Sequence, residues 1–136
     1  MNATIITPDL AIGSYSAIVE MQATGWQCIC LTNEGGEVPC HTIPMNDGGG
    51  NSAEKIEAAI KWVLDVWKSG NKAYVCCRYG MNRSVSIGAA AMAVGRRVEW
   101  FSNALAMINR SRSIAGPRDD TMSEILLVVM KLKQNG

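Results

Sequence analysis

The chain has 136 residues, of which 48% are hydrophobic, and this length and composition predict one globular domain over residues 1–136. Thirteen basic and 12 acidic side chains leave a net charge of +1, so bulk charge favours neither nucleic acid nor an anionic membrane as a partner. No apolar run reaches the length that spans a bilayer, and the first residues lack the pattern of a signal peptide. We therefore expect no membrane span and a cytoplasmic location.

The cysteines and the histidine argue against a metal site. Five cysteines occur, an odd number, and their spacing does not give the two pairs that a structural zinc ion needs. Free thiols point to a reducing compartment. The single histidine, His41, argues against both a zinc site and a Ser-His-Asp triad. We expect neither a metal nor a cofactor.

In chain order, the pattern predicts strands that alternate with helices. Short apolar runs favour strands, and apolar residues three to four positions apart favour helices. The predicted strands are residues 5–6, 10–14, 26–31, 40–43 and 73–76. The predicted helices are residues 14–23, 83–94, 98–109 and 121–133, with one more from residue 51 to a stop at residues 69–71. Residues 32–39 are polar and glycine-rich, which predicts a loop.

Three of these helices begin at residues that can cap a helix. Ser14 is the expected cap of the first. Asn51 with Glu54, and Thr121 with Glu124, have the three-residue spacing of a capping pair. In the helix over residues 98–109, the side chains expected to face inward are Trp100, Phe101, Ala104, Leu105 and Ile108.

The stretch that carries the chemistry has the pattern of a strand, a tight loop and a helix. Cys77 follows the strand over residues 73–76, and five residues separate it from Arg83, near which an alanine-rich helix begins. A loop that leads into a helix aims several backbone N–H groups at one point, which can hold a phosphate. Arg83 adds a planar fork of donors. Together these groups favour the ionised, nucleophilic form of Cys77.

Residues 75–84, Val-Cys-Cys-Arg-Tyr-Gly-Met-Asn-Arg-Ser, resemble the signature of cysteine-dependent protein phosphatases, His-Cys-x-x-Gly-x-x-Arg-Ser/Thr. Within that superfamily they are most similar to the small dual-specificity phosphatases. Residues 10–14 resemble the family's early Leu-x-x-Gly element, and residues 110–117 resemble its Arg-x-Ile-x-Pro segment, which crosses beside the active loop. The resemblance implies an α/β three-layer sandwich, in which helices flank a central, mainly parallel sheet of four or five strands.

The resemblance also implies roles for single residues. Cys77 is the expected nucleophile, Arg83 the expected ligand of the phosphate, and Ser84 the expected hydrogen-bond partner of the sulfur. The residues expected to contact the substrate are those of the loop between them, Arg78, Tyr79, Gly80, Met81 and Asn82. Arg78 either favours acidic groups beside the phosphate or is a solvated surface charge.

A second loop carries the expected general acid. Residues 44–50 include three consecutive glycines, which cost chain entropy to order and predict a mobile loop. Asp47 lies in this loop, 30 residues before Cys77, and the family carries its general acid at about this separation. The alternative is an aspartate that only forms a turn. Asp65 is the competing acid, but it falls inside a predicted helix.

The implied activity is hydrolysis of phosphate monoesters through a phosphocysteine, on phosphotyrosine and phosphoserine or phosphothreonine of a protein or peptide. The chain is too short for the elements that build a deep phosphotyrosine cleft, so we expect a shallow pocket. Other hypotheses stay open. The same chemistry would serve a phosphoinositide or an RNA 5′-phosphate, although Met81 stands where such enzymes often have a basic residue. A catalytically weak phosphate-binding module and a rhodanese-like sulfur transferase are further candidates.

Two positions depart from the family pattern. Cys76 stands where the family has a histidine that orders the loop and tunes the thiolate. Asn82 stands where dual-specificity enzymes often have serine. We expect Cys76 to point to the other face of its strand and to pack there. The alternative, a redox partner for Cys77, would strain a disulfide between neighbours.

Overall fold

The structure, a computed structural model, describes residues 2–32 and 39–135, so residues 33–38 of the predicted loop lie outside the described part. Within it, one sheet contains β1 (Ala3–Thr7), β2 (Leu10–Ser14), β3 (Trp26–Cys30), β4 (His41–Thr42) and β5 (Lys72–Cys77). The order across the sheet is β1-β2-β5-β3-β4, and only β1 runs antiparallel to its neighbour. The helices are α1 (Ile18–Ala23), α2 (Ala53–Lys68), α3 (Arg83–Val94), α4 (Phe101–Ser111) and α5 (Asp119–Asn135).

Helices cover both faces of the sheet, which makes three layers. Alternate residues of a strand point to opposite faces. One face packs against the apolar side chains of α2, α3, α4 and α5, and its strand residues include Ile12, Ile29, Val75 and Cys77. The other face packs against α1, and its strand residues include Ala11, Cys28, Tyr74 and Cys76. The predicted α/β sandwich with a mainly parallel sheet is confirmed.

Helix α3 lies at the centre of the thicker layer. Residues 83–93 are all buried, because the sheet, α2, α4 and α5 surround the helix. Its small residues permit this close approach: a Cβ added at Gly88 would lie 2.6 Å from Cδ1 of Ile12 on β2. In the part of the chain that the structure describes, no helix combines the length and apolar character needed to cross a membrane.

The parallel strands end at one edge of the sheet, and this edge places the site. Ser14 at the end of β2 is in register with Cys77 at the end of β5, and Cys30 on β3 is in register with Cys76. Loops that follow parallel strands meet outside their carboxyl ends, where ligands of α/β sheets bind. The loop after β5 and the loop before α2 therefore come together here.

The three predicted helix caps were wrong, whereas α3 begins at Arg83, where the sequence predicted its start. Ser14 belongs to β2 and makes no cap hydrogen bond; its hydroxyl pairs with that of Ser16 at 2.6 Å. Ser52 rather than Asn51 caps α2, because its side chain accepts a hydrogen bond from the Lys55 N–H at 3.2 Å. Thr121 lies inside α5, which begins at Asp119. The side chains of Asn51 and Thr121 are engaged with distant residues, and those contacts override the local capping pattern.

The prediction that Trp100 faces inward was also wrong. Trp100 has an extended backbone and precedes α4, so its side chain is not part of the helix's buried stripe. It is 61% exposed, and Lys133 Nζ lies 5.6 Å from the centre of its ring. The other end of this helix also differs, because α4 continues to Ser111, two residues beyond the predicted range.

Candidate active site

Cys77 ends β5 at the carboxyl edge of the sheet. The residue is 2% exposed, so its thiol is sheltered from bulk water. Its Sγ lies 3.2 Å from the hydroxyl oxygen of Ser84, in the first turn of α3. As a thiol, Cys77 donates this hydrogen bond; as a thiolate, the sulfur can only accept it from Ser84. The pair predicted from the sequence is thus brought together by one strand, one loop and one helix.

The loop between β5 and α3 is held from behind by Arg112. The guanidinium donates from Nε to the carbonyl of Gly80 at 2.8 Å and from Nη2 to the carbonyl of Tyr79 at 3.0 Å. Nη1 donates to the hydroxyl of Thr4 on β1 at 3.0 Å. Arg112 is only 3% exposed, so these are buried, charge-assisted hydrogen bonds, which are stronger than neutral ones. These hydrogen bonds fix the shape of the loop and satisfy two of its carbonyl oxygens.

Arg83 opens α3 and reaches the same cavity. It is 8% exposed, and its Nη1 donates to the carbonyls of Met45 at 3.0 Å and Leu31 at 3.3 Å. Its Nε is buried and has no hydrogen-bond partner among residues 2–32 and 39–135. A carboxylate oxygen of Asp47 is 3.4 Å from Nε, within ion-pair range but without hydrogen-bond geometry. Buried donors normally have a hydrogen-bond partner, so this N–H of Arg83 is available to a bound anion.

Asp47 lies at the mouth of this cavity, on the loop before α2. Its side chain is 65% exposed. The amide of Asn82 donates to its backbone carbonyl at 2.7 Å and lies 3.2 Å from its Oδ1. The carboxyl group therefore faces the guanidinium of Arg83 while staying in contact with water.

The cavity has a volume of about 370 Å³. The predicted site residues that line it are Asp47, Cys77, Arg78, Tyr79, Met81, Asn82 and Arg83. Ser84 lies behind Cys77, and Gly80 packs against Gly13 of β2. Tyr79 and Met81 are 60% and 41% exposed, so part of the cavity's lining is apolar and open to solvent. A thiol, a guanidinium N–H that is not engaged in a hydrogen bond and a carboxyl group lie in one cavity. Together they can bind a phosphoryl group, attack it and exchange a proton with it.

Sequence reasoning missed three residues that build this site. Gly116 and Arg118 line the cavity, and the Gly116 N–H donates to the carbonyl of Met81 at 2.8 Å. Arg112 holds the loop from behind. The resemblance of residues 110–117 to a segment that crosses beside the active loop was the available signal for this region. It carries no information on which side chain points where.

Cys76 and Cys77 face opposite sides of β5. Cys76 is fully buried against α1, and its hydrogen bond with Cys30, together with burial, raises the pKa of its thiol above the ordinary value. Burial also raises the pKa of Cys28 to about 12. These neighbours stay protonated near neutral pH. The expected packing role of Cys76 agrees with this placement, and the redox role stays an untested alternative.

Gly80 is where the loop depends most on the absence of a side chain. Its φ is +68°, and an added Cβ would lie 2.5 Å from the carbonyl carbon of Gly13. We expect Gly80→Ala to lower the free energy of unfolding by about 2–4 kcal/mol, since a strained φ and a steric overlap add. Urea unfolding measures the loss.

Gly70 provides the matched control. Its φ is +76°, but no atom lies within 4 Å of an added Cβ. Gly70→Ala is expected to cost only about 1 kcal/mol, from the backbone conformation alone. Equal losses at the two positions would show that contact with Gly13 is not a constraint on the loop.

No protein-family model and no curated protein matches the sequence. Solved structures do match. Human DUSP28 superimposes with a TM-score of 0.82 and 18% identity, covering 98% of this chain and 96% of that one. PTPMT1 in complex with PI(5)P has a TM-score of 0.79 and 12% identity, with 99% of each chain covered. Tk-PTP in its active form has a TM-score of 0.75 and 19% identity, covering 99% of this chain and 98% of that one. The chain therefore has the fold of the small dual-specificity-type cysteine phosphatases.

Proposed function

We propose that the protein is a cysteine-dependent phosphatase that hydrolyses phosphate monoesters through a phosphocysteine. The observation that carries the proposal is one cavity lined by the buried Cys77 and by Arg83, whose buried Nε has no hydrogen-bond partner among the described residues. Asp47 lines the same cavity. The fold shared with DUSP28 and Tk-PTP supports the same chemistry.

In the first step, the Cys77 thiolate attacks phosphorus in line with the leaving oxygen. The P–S bond forms as the P–O bond breaks, and protonated Asp47 gives its proton to the leaving oxygen. Arg83 Nε and the loop N–H groups hold the other phosphate oxygens, on which charge spreads in the transition state. The Nη1 bonds of Arg83 to Leu31 and Met45 pre-orient the guanidinium, so little reorganisation is needed.

In the second step, water attacks the phosphocysteine. The Asp47 carboxylate takes a proton from that water, inorganic phosphate leaves, and the P–S bond breaks to return the thiolate. The Ser84 hydroxyl, 3.2 Å from Sγ, donates to the sulfur as negative charge builds on it. Asp47 is suited to this role because its side chain is exposed and water reaches it.

Phosphotyrosine and phosphoserine or phosphothreonine of a protein or peptide are the proposed substrates. The cavity, of about 370 Å³, is small and open. The exposed Tyr79 and Met81 offer apolar area on which a peptide can lie. A phosphoinositide is the second candidate, favoured by the likeness to PTPMT1, which was solved with PI(5)P.

Activity across three substrate classes tests the proposal. Phosphopeptides, phosphoinositides and triphosphate-ended RNA would be compared, with Cys77→Ser and Asp47→Asn beside the wild type. Turnover of phosphopeptides that depends on both residues is the expected result. Faster turnover of phosphoinositides than of phosphopeptides would identify a phosphoinositide as the preferred substrate. Activity on thiosulfate instead of an aryl phosphate, or phosphate binding without any turnover, would contradict the proposal.

Arg118 is expected to favour substrates with a second acidic group. It lines the cavity and is bound to Asp120 through Nε at 3.2 Å and Nη2 at 3.1 Å. Arg118 also lowers the pKa of Asp120 to about 2, so Asp120 is ionised near neutral pH. Both groups are largely exposed, and an exposed pair is weak enough for a substrate carboxylate to compete with Asp120.

Two phosphotyrosine peptides that differ only by Asp or Asn beside the phosphotyrosine measure this preference. Arg118→Gln is expected to lower the ratio of kcat/KM for the acidic peptide to that for the neutral one by about 3- to 10-fold, the net value of one ordinary hydrogen bond in contact with water. Arg110→Gln, on the exposed surface of α4, is the control. An unchanged ratio in Arg118→Gln would contradict the role.

A further inference from the structure

The side chain of Asn82 lies where three separate parts of the chain meet. Its Nδ2 donates to the carbonyl of Asp47 at 2.7 Å and lies 3.1 Å from the hydroxyl of Thr121 on α5. Its Oδ1 accepts a hydrogen bond from the backbone N–H of Arg118 at 2.8 Å. Asn82 itself belongs to the loop that follows Cys77, and it is 6% exposed. Buried amide hydrogen bonds of this kind are costly to lose.

Asn82 does not use its side chain in the ordinary way for its position. It directly precedes α3, where asparagine commonly caps the helix, yet its side chain makes no cap hydrogen bond. Its backbone carbonyl accepts from the N–H of Ser86 at 2.9 Å, so the helix start is supported by the main chain. The amide group is therefore available to the loop that carries Asp47.

The Asp47 loop needs that support at one end. Three glycines follow Asp47, and ordering them costs more chain entropy than ordering other residues. Their far end is tied to α5, since Glu124 accepts hydrogen bonds from the Gly50 N–H at 2.9 Å and from Asn51 Nδ2 at 2.7 Å. Asn82 holds the near end through both the carbonyl and Oδ1 of Asp47.

We propose that Asn82 is a positioning residue that holds Asp47 over the phosphoryl group, so that proton transfer to the leaving oxygen depends on it. The inference rests on the proposed phosphatase function. An amide presents a donor and an acceptor at once, and both are used here. Aspartate lacks the donor and would repel Asp47, and a serine hydroxyl has one donor hydrogen on a shorter side chain.

The leaving group of the substrate separates this role from a merely structural one. The phosphate ester of a strongly acidic phenol releases a stable phenolate that needs no proton. The phosphate ester of a weakly acidic phenol needs the general acid to protonate its leaving oxygen. We expect Asn82→Ala to lower kcat/KM about 10- to 100-fold for the second ester and less than about 3-fold for the first, since general acid catalysis contributes about 10²–10⁴-fold. The ratio kcat/KM is chosen because it reports formation of the phosphocysteine and not its hydrolysis.

A double-mutant cycle shows whether the effect passes through Asp47. In an Asp47→Asn background, Asn82→Ala is expected to cause no further loss on the ester of the weakly acidic phenol, because the group it positions is gone. Loss of the same size on both esters, or full additivity with Asp47→Asn, would overturn the inference while leaving the phosphatase activity established. A wild-type protein that hydrolyses neither ester overturns the proposed function and this inference with it.

Two further variants keep the test decisive if Asn82→Ala folds poorly. Thr121→Val removes the hydroxyl that accepts a hydrogen bond from Asn82 Nδ2 and donates one to the Gly48 carbonyl. It is expected to lower kcat/KM more for the ester of the weakly acidic phenol than for the other ester, by a smaller factor than Asn82→Ala. Asn103→Ala removes an exposed asparagine whose Oδ1 accepts a hydrogen bond from the Trp100 N–H at the start of α4, outside the cavity, and is expected to leave kcat/KM for both esters unaffected. Binding of tungstate, measured by calorimetry, reports whether the anion site of each variant is intact. A Thr121→Val variant that binds tungstate and loses activity equally on both esters would overturn the inference.

Discussion

Cys77→Ser is expected to lower kcat for every phosphomonoester by at least about 10⁴-fold, because a serine hydroxyl is not ionised at this site and the attacking group is lost. The substitution changes one atom in a side chain that is 2% exposed, so the surrounding packing is retained. Arg83 and the loop N–H groups are untouched. Binding of tungstate should therefore change by less than about 3-fold, because the donors that provide it remain.

Cys76→Ser is the matched control for this variant. Cys76 is the adjacent residue, but it lies on the face of β5 that packs against α1. It is expected to keep kcat within about 3-fold and to lose about 1–2 kcal/mol of stability, since a hydroxyl replaces a buried thiol. Rapid acid quench followed by mass spectrometry should find one phosphoryl group on wild-type Cys77 and none on Cys77→Ser. Substantial turnover by Cys77→Ser would rule out the phosphocysteine.

The parts of the site that could be predicted from the sequence are those whose partners are close in the chain. Cys77, Arg83 and Ser84 lie within one strand-loop-helix unit, and the local geometry of that unit decides where they point. Asp47 was predicted because the phosphatase family that the sequence resembles carries its general acid on such a loop, at about this separation from the nucleophile. A parallel sheet gathers such loops at one edge, which is consistent with the meeting of these residues that the resemblance implied.

The contacts that hold these loops in place could not be predicted. Asn82 meets Thr121 and Arg118, which are 39 and 36 residues further along the chain. Asn51 meets Glu124, which lies 73 residues away. Local capping patterns predicted that Asn51 and Thr121 cap helices. Such patterns contain no information about partners that tertiary packing brings close. The energy of a buried hydrogen bond exceeds the small preference for one cap over another.

The second large effect is expected at Arg83. Arg83→Lys keeps the positive charge but removes the planar fork, of which Nη1 donates to the carbonyls of Leu31 and Met45 and Nε has no hydrogen-bond partner among the described residues. A lysine ammonium cannot serve both sides at once. We expect kcat/KM to fall by about 10²–10³-fold, the usual cost of losing one pre-oriented donor to a transition-state oxygen. Tungstate binding should weaken as well.

Arg83→Lys and Cys77→Ser together separate binding from attack. If Arg83 orients the phosphoryl group, its variant loses anion affinity and turnover together, whereas the Cys77 variant loses turnover alone. Arg110→Lys, on the exposed surface of α4, is the control for exchanging the two cations. Retention of kcat/KM within about 3-fold in Arg83→Lys would mean that charge alone suffices. In that case Arg83 Nε would not be a hydrogen-bond donor to the phosphate.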